Sequence, residues 1–560
     1  MSGPRRSDTR LSWLLLMGLV LAAGAIRVTS LDGLPAGLFR DEAEKGYNAW
    51  ALATTGQVIE FTGEGTITRP EALRAHHLPF MVDVMGDRTS AIYHYAAVPF
   101  MWAAGLSVKT TRLPAAMAGT LTVLVLGGML MGRWGPVATL ATAAWLSLCP
   151  WHLVFSRWAL QGIFVPLLMA VALWGLAGVE RRRRWGWPLA GAALGLMFYA
   201  YSGAQPMVVA WAAGLAIIYR RRILPMKTWV ALGAVLFLIP VLPTLWVRLS
   251  PSGSQRLDEV ALWTVPGADW PRVIWLFVKH YLSHFDPRFL FLAGDPQPRH
   301  SVPGLGQLLI VDAVLVPVGM AWAFRRKAGL RWALLAALLL GPLPAALTRD
   351  GSGHGLRSIG MLVPAVAFSG AGLAWLAEGA KAALERRGGT QRRAAALTGL
   401  LVASILAMGL VGVARYWGAY RGPAPGWIGY EHYFARGHPA AHLAFQAGAR
   451  MSWQMVAERR QPGEPVFVNA TLPYAPYYQM FFLQPDPLRL LQEGLGSQGV
   501  QYFMPRGRGR AGRRARLPAG AWLIDRVDPR RVDHPSPEAT PFPEAAIRRA
   551  GEGWAEWHHK

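Results

Sequence analysis

Four short stretches hold the residues best able to do chemistry. In Pro35–Trp50 a turn-rich approach delivers two adjacent carboxylates, Asp41 and Glu42, to an amphipathic stretch in which Ala43, Tyr47, Trp50 and Ala51 recur at helical spacing. Such acids can serve a reaction. They equally suit the first turn of a helix, where a carboxylate accepts from free backbone N–H groups and opposes the helix dipole. The second stretch, Phe285–Gly304, carries Asp286, Asp295, Arg299 and His300. An oxygen–nitrogen donor set of this kind suits Zn²⁺ or Mn²⁺, but no H-x-x-x-H pair accompanies it, and a loop histidine with local hydrogen bonds is the plain alternative. The third, Arg349–Ser358, sets His354 and Arg357 in a polar turn between two apolar runs. A guanidinium at a helix mouth can grip phosphate with two parallel bonds or snorkel to lipid headgroups. Arg157, in Ser156–Gln161, follows another apolar run, a place where an arginine commonly anchors a helix. Tyr199, Tyr201 and Gln205 gather at another run's end, as belt residues or as lining of a lipid groove. His284, His76 and His77 are weaker candidates.

What positions these residues follows from composition. Of 560 residues, 53% are hydrophobic and 16% are Asp, Glu, Lys or Arg, against about 25% charged in soluble domains. So few charges cannot clothe a soluble shell, and most of the chain must face lipid. The single cysteine, Cys149, excludes a disulfide framework and a cysteine-based zinc site. Runs of about twenty nearly uncharged residues are membrane-span candidates. They lie at Leu11–Val28, Leu113–Met131, Val137–Phe155, Gly162–Val179, Trp187–Tyr201, Met207–Tyr219, Trp229–Val247, Leu305–Phe324, Trp332–Leu347, Ile359–Ala377 and Ala394–Val413, eleven in all.

The net charge of +25 would by itself suit a nucleic-acid binder, but its distribution says otherwise. With eleven spans, Arg5/Arg6/Arg10, Arg133, Arg181–Arg184, Arg220–Arg222 with Lys227, Arg325–Lys327 with Arg331, and Lys381/Arg386/Arg387/Arg392/Arg393 all share the side of the N-terminus. The positive-inside rule names that side cytoplasmic, and no nucleic-acid partner is expected. A twelfth run, Ala91–Leu106, is shorter and more polar; counting it as a span would throw the later clusters outside, so it reads as a helix at the outer interface. The first run could be a cleaved signal peptide, although ten further spans favour a retained anchor.

The expected architecture is an all-α, multi-pass membrane domain over 1–414, including a first outer loop at 29–112 and a second at 248–304. A soluble α/β domain over 415–560 follows, outside the membrane. Within the tail, Pro465–Ala470 reads as a buried strand and Pro485–Gly494 as a turn entering a short helix. Gly507–Arg516 reads as a solvated Arg/Gly loop or a contact for anionic headgroups.

The segments GLFRDEAEKGYNAWALATTG, LSVKTTRLPAAMAGTLTVLVL and CPWHLVFSRWAL resemble the GT-C glycosyltransferases, in the branch that holds dolichyl-phosphate-mannose-protein mannosyltransferases and lipid A aminoarabinose transferases. The resemblance covers roughly residues 10–375, best in the first loop. It implies an inverting enzyme that moves one hexose or pentose from a polyprenyl-phosphate carrier to a hydroxyl of an extracytoplasmic glycan, lipid or protein. It implies Asp41 as the general base, with Glu42 orienting it, binding the sugar, or simply solvated on the helix face. A positioned base is worth about a hundred- to ten-thousand-fold, and inversion needs no second carboxylate as nucleophile. By the same resemblance, Arg157, Arg357, Arg299, His354 and Tyr201 would contact donor phosphate or sugar. His300 with Asp295 would hold a divalent metal (Zn, Mn or Mg) near the phosphate. A second acid on the metal side has no clear match among Glu60, Asp83 and Asp87.

The expected location is a bacterial cytoplasmic (inner) membrane, with a cytoplasmic N-terminus. Two rivals remain at this level. A lipid-linked-sugar flippase or transporter would bury ionisable residues at mid-bilayer and often repeat its halves; here the spans are nearly charge-free and no repeat is visible. An O-antigen ligase or polysaccharide polymerase would share the topology but lack the Asp-Glu pair after the first span.

Overall fold

The computed structural model describes residues 6–61, 69–84, 87–250, 259–267, 269–387, 390–421, 445–469, 472, 475–503, 521–526 and 545–549. Among these, helices dominate. Six are long and apolar enough to cross a membrane: Arg10–Val28, Val108–Met131, Gln161–Glu180, Arg220–Leu249, Ile359–Arg386 and Gln391–Tyr420. The other expected spans are helical but shorter or broken. Val137–Phe155 divides at Cys149-Pro150 into Pro136–Leu148 and Pro150–Phe155. Trp332–Leu347 divides at Gly341-Pro342 into Arg331–Leu340 and Leu343–Ala346. A proline without an N–H stands at each break, Pro150 as the first residue of its piece and Pro342 as the cap just before Leu343. Leu305–Phe324 is α-helical only from Asp312. The segment expected at the interface, Ala91–Leu106, is the helix Ile92–Ala104.

The chain forms two compact units, Met1–Thr29 with Ala115–Ala419, and Ser30–Pro114 with Tyr420–Lys560. In the first, Gly186–Ala200 packs on Phe164–Glu180 and on Lys227–Leu249, while Asp312–Arg325 packs on Leu362–Arg386. Glycines permit the backbone approach, as membrane helices commonly require: a Cβ on Gly191 would lie 2.0 Å from the Gly233 oxygen, and one on Gly319 would lie 1.8 Å from that of Phe368.

The second unit regroups the first loop, which the sequence suggested would belong with the membrane helices, with the tail. Its loop part holds the helix Arg40–Thr55, the antiparallel pair Gln57–Phe61 and Leu73–His77, the pair Met81–Val84 and Asp87–Ser90, and Ile92–Ala104. Its tail part holds a four-stranded sheet in the order Val500–Phe503, Val466–Asn469, Trp522–Arg526, Ala545–Arg549, parallel except for the last pair. The expected buried strand is Val466–Asn469 and the expected short helix is Pro487–Glu493, capped by Asp486. One apolar core explains the regrouping. Tyr47, Val58 and Val82 from the loop share it with Val466, Tyr478 and Trp522 from the tail, and Arg40–Thr55 lies on Ala475–Leu483. The Arg/Gly stretch Gly507–Arg516 falls outside the described residues.

Candidate active site

The two adjacent acids of the first loop have opposite surroundings. Asp41 is the second residue of the helix Arg40–Thr55, not its cap. The capping group is Glu42, whose Oε2 accepts from the Phe39 N–H at 2.9 Å, the carboxylate half of a capping box. Glu42 is fully buried and takes a bidentate grip from Arg112, Nε to Oε1 at 2.8 Å and Nη2 to Oε2 at 2.9 Å. The solvated helix-face reading of Glu42 is therefore corrected: its oxygens are engaged inside the protein. Arg112 also donates to the carbonyls of Leu31 (3.1 Å), Pro35 (2.8 Å) and Gly37 (2.6 Å). One guanidinium thus ties the turn before the helix to the helix's own first turn. Asp41 is left with a side chain 33% exposed, its Oδ1 3.6 Å from the Arg40 Nε.

Further along the same helix a buried polar knot fixes its direction. Glu44 Oε1 accepts from His94 Nε2 and from Asn48 Nδ2, each at 2.9 Å. The Lys45 ammonium stands 3.7 Å from Glu44 Oε2. Asn48 in turn pairs with both backbone groups of Ile59. Burial raises the Glu44 carboxyl's pKa, but His94, Lys45 and Asn48 more than offset it and hold it at about 2. Two further first-loop acids are also engaged. Glu60 pairs with Arg74 and accepts from the Asp83 N–H, and Asp83 lies 3.8 Å from Arg88.

In the first unit, Asp295, His300 and His354 come together, with one ligating atom from each within 4.8 Å of the others. The Asp-Pro-Gln-Pro run turns tightly because Asp295 Oδ1 accepts from the Gln297 N–H at 2.7 Å. That turn returns His300 to its aspartate, Nδ1 to Oδ2 at 2.8 Å. The second turn arrives through Gly355, whose N–H donates to the same Oδ2 at 2.7 Å, with His354 Nδ1 at 3.8 Å. The two imidazoles stack at 4.8 Å, and Phe155 stacks on the outer side of His300 at 5.8 Å. Trp151 Nε1 donates to the Gly355 carbonyl, so the Pro150–Phe155 helix braces both turns. Burial raises the Asp295 pKa, yet His300, His354 and the Gln297 N–H hold it at about 2. Burial, together with the His300 and Arg357 charges, lowers His354 to about 3. A carboxylate anion beside a neutral imidazole is the protonation pattern a metal ion requires. Two imidazoles with one carboxylate suit zinc or manganese better than magnesium.

The other expected donor residues have distinct surroundings. Arg157 is buried and donates to the carbonyls of Ile26 (2.6 Å), Arg27 (2.8 Å) and Thr29 (2.7 Å), with its guanidinium over the rings of Tyr416 and Trp417. That is the anchoring alternative: it satisfies carbonyls at the end of the first helix. Arg357 pairs with Asp350 Oδ1 at 2.5 Å and Thr348 Oγ1 at 2.8 Å. Arg299 is half-buried in the Asp295–His300 turn, and Tyr201 is half-buried just after the helix Gly186–Ala200. His354, expected from the resemblance to contact the donor, lies in the Asp/His cluster. Sequence reasoning missed Arg112 and that role of His354, since their partners lie 70 residues away in one case and in another loop in the other. It also missed Arg27, fully buried and 2.9 Å from His152 Nδ1. A basic residue inside an apolar run was the available signal.

Residues 93–247 match the family model described as dolichyl-phosphate-mannose-protein mannosyltransferase. No curated protein matches the chain, whereas 16 chains of solved structures do. The archaeal oligosaccharyltransferase AglB from Archaeoglobus fulgidus, in complex with an inhibitory peptide and a dolichol-phosphate, is 12% identical with a TM-score of 0.48 over 88% of this chain and 65% of that one. This chain thus spans 65% of that enzyme's length. ArnT from Cupriavidus metallidurans in the apo state is 15% identical, with a TM-score of 0.47 over 85% of each chain. The same protein bound to undecaprenyl phosphate gives 15% and 0.45 over 84% of each.

Proposed function

We infer that this chain, whose residues 93–247 match the family model described as dolichyl-phosphate-mannose-protein mannosyltransferase, is an inverting glycosyltransferase. It takes one sugar from a polyprenyl-phosphate carrier and passes it to a hydroxyl on an acceptor outside the membrane. The observation that carries this reading is the contrast between Asp41 and Glu42. Glu42 is buried on Arg112 and fixes the start of the helix, while the next-door Asp41 carboxylate is a third exposed. A carboxylate held on a rigid helix end yet open to solvent is placed to meet a substrate. In the proposed reaction the acceptor oxygen attacks the anomeric carbon in line, and the bond to the lipid phosphate oxygen breaks on the opposite face. The hydroxyl proton passes to an Asp41 carboxylate oxygen as the new bond forms.

Asp295, His300 and His354 would hold a divalent ion, whose charge would offset that of a departing phosphate. Glu42 and Arg112 position Asp41 rather than touch the sugar. The eleven-span arrangement, with the N-terminus cytoplasmic and the tail on the far side of a bacterial inner membrane, belongs to the same proposal; a reporter fused after Lys560 reads out the side of the tail. The catalytic assignment is tested with purified Asp41→Asn protein and a radiolabelled polyprenyl-phosphate sugar in membranes. We expect label transfer to be abolished with donor binding kept. Near-normal turnover would sink the assignment.

A further inference from the structure

The helix Trp270–Ser283 lies between the span candidate Arg220–Leu249 and the helix Asp312–Arg325. At roughly 100° per residue, its side chains sort into three sectors. Trp270, Ile274, Trp275, Val278 and Leu282 share one broad face and are 72%, 60%, 59%, 46% and 58% exposed. Arg272 and Lys279, both exposed, fall together on one border of that face, with the Lys279 ammonium 5.1 Å from the Trp275 ring. The third sector carries Val273 and His280, both buried.

A water-facing helix would not show so large an apolar face, and a span would not carry a basic border and a buried histidine. The pattern is that of a helix lying flat at a bilayer surface, with its apolar face about 5–10 Å into the headgroup–acyl boundary and its cations beside the phosphates. The lipid-facing surface also leads into this loop: Trp246 and Leu249, at the end of the preceding span, are 82% and 80% exposed.

The protein-facing sector leads to the Asp/His cluster. His280 Nδ1 lies 3.0 Å from the Thr348 carbonyl. One turn later, His284 Nδ1 donates to the His280 carbonyl at 2.7 Å, which leaves its Nε2 to accept from the His354 N–H at 3.1 Å. Ser283 Oγ accepts from the Gly353 N–H at 2.9 Å. The start and the middle of the turn that carries His354 are therefore fastened to this helix and to the residue that ends it.

We propose that Trp270–Ser283 is seated in the phospholipid interface and, through His280, Ser283 and His284, holds the Thr348–Ser358 turn at headgroup level. The seat depends on the chain spanning a membrane, not on a metal at Asp295 or on Asp41 as base. Cys149 is the single cysteine and is buried, so a Cys149→Ala background allows one nitroxide label at a time. Labels at Ile274→Cys, Val278→Cys, Arg272→Cys and Ser352→Cys are read in vesicles of phosphatidylethanolamine and phosphatidylglycerol. Collision with oxygen is compared with collision with a water-soluble nickel chelate.

The oxygen-to-nickel ratio at Ile274→Cys and Val278→Cys should be several-fold above that at Arg272→Cys, with Ser352→Cys near the Arg272→Cys value. Adding Trp270→Asp and Trp275→Asp should move both the Val278→Cys and the Ser352→Cys labels towards water. A water-like ratio at Ile274→Cys and Val278→Cys, or shielding there from both reagents, overturns the lipid seat. A Ser352→Cys label that stays put while Val278→Cys moves overturns the fastening. If the doubly acidic variant does not fold, the depth profile of the single-label proteins still decides the first point.

Discussion

Neutralising Glu42 and neutralising Asp41 are nearly identical edits one residue apart, and the structure assigns them opposite consequences. Glu42→Gln keeps the shape of the side chain but removes the anion that faces Arg112 at 2.8 and 2.9 Å in a fully buried site. Breaking a buried ion pair from one side costs about 3–5 kcal/mol, because the remaining charge is left uncompensated. Arg112 would retain the carbonyls of Leu31, Pro35 and Gly37, so the lower end, about 3 kcal/mol, is the better figure. Asp41 loses only a partly exposed neighbour at 3.6 Å, an interaction worth about 0–1 kcal/mol. Against a total stability of about 5–15 kcal/mol, the gap is large.

The assay is thermal unfolding of both variants in one detergent at one scan rate, beside transfer activity. Glu42→Gln should melt well below the parent, and Asp41→Asn should melt with it while transferring no sugar. An Arg112→Gln change added to Glu42→Gln should cost less than the sum of the two alone, as a coupled pair requires. If Glu42→Gln and Asp41→Asn melt together, the buried pair does not hold the helix start and the division of labour is wrong.

Two other outcomes follow from the buried clusters. Incubation with zinc and removal of the excess should leave metal on the parent protein, and His354→Ala should weaken retention by more than about 100-fold, since losing even a supporting partner costs about 10–100-fold. Equal zinc by mass spectrometry in parent and variant would remove His354 from the ligand set. For Glu44, burial is outweighed by His94, Lys45 and Asn48, and the carboxyl falls from 4.5 to about 2. A depressed carboxyl stabilises fully above its unfolded value and loses that contribution as pH falls through its folded one. The gain at neutral pH is about 3 kcal/mol, at about 1.4 kcal/mol per unit. The stability gap between parent and Glu44→Gln should therefore shrink from pH 4.5 towards pH 2, and a constant gap over that range contradicts the pairing with His94.

What could be read from the chain alone divides by the range of the interaction. Apolar runs are local, so helices lie on every expected span, and Val466–Asn469 and Pro487–Glu493 were legible for the same reason. The breaks at Cys149-Pro150 and Gly341-Pro342 escaped because mean hydropathy does not register a missing N–H. The Asp41–Glu42 pair was visible as a pair, but which acid is buried depends on Arg112, 70 residues away. Likewise His300 and Asp295 were adjacent enough to be read together, whereas His354 reaches them only when a second loop folds back. The first loop was assigned to the membrane helices because it interrupts them in sequence, yet its apolar residues complete a core with tail strands hundreds of positions later.

These misses share one cause, and it bears on how the proposed chemistry is to be dissected. Glu42 and Arg157, both placed on substrate by sequence, are polar and buried, and their side chains hydrogen-bond segments distant in the chain. A buried polar group must find such partners or cost stability. Near the candidate site, then, charge alone is a poor guide to contact with donor or acceptor. Exposure combined with a fixed backbone is the better one, and among the first-loop acids in the helix Arg40–Thr55 it singles out Asp41, because Glu42 and Glu44 are fully buried and Asp41 is not.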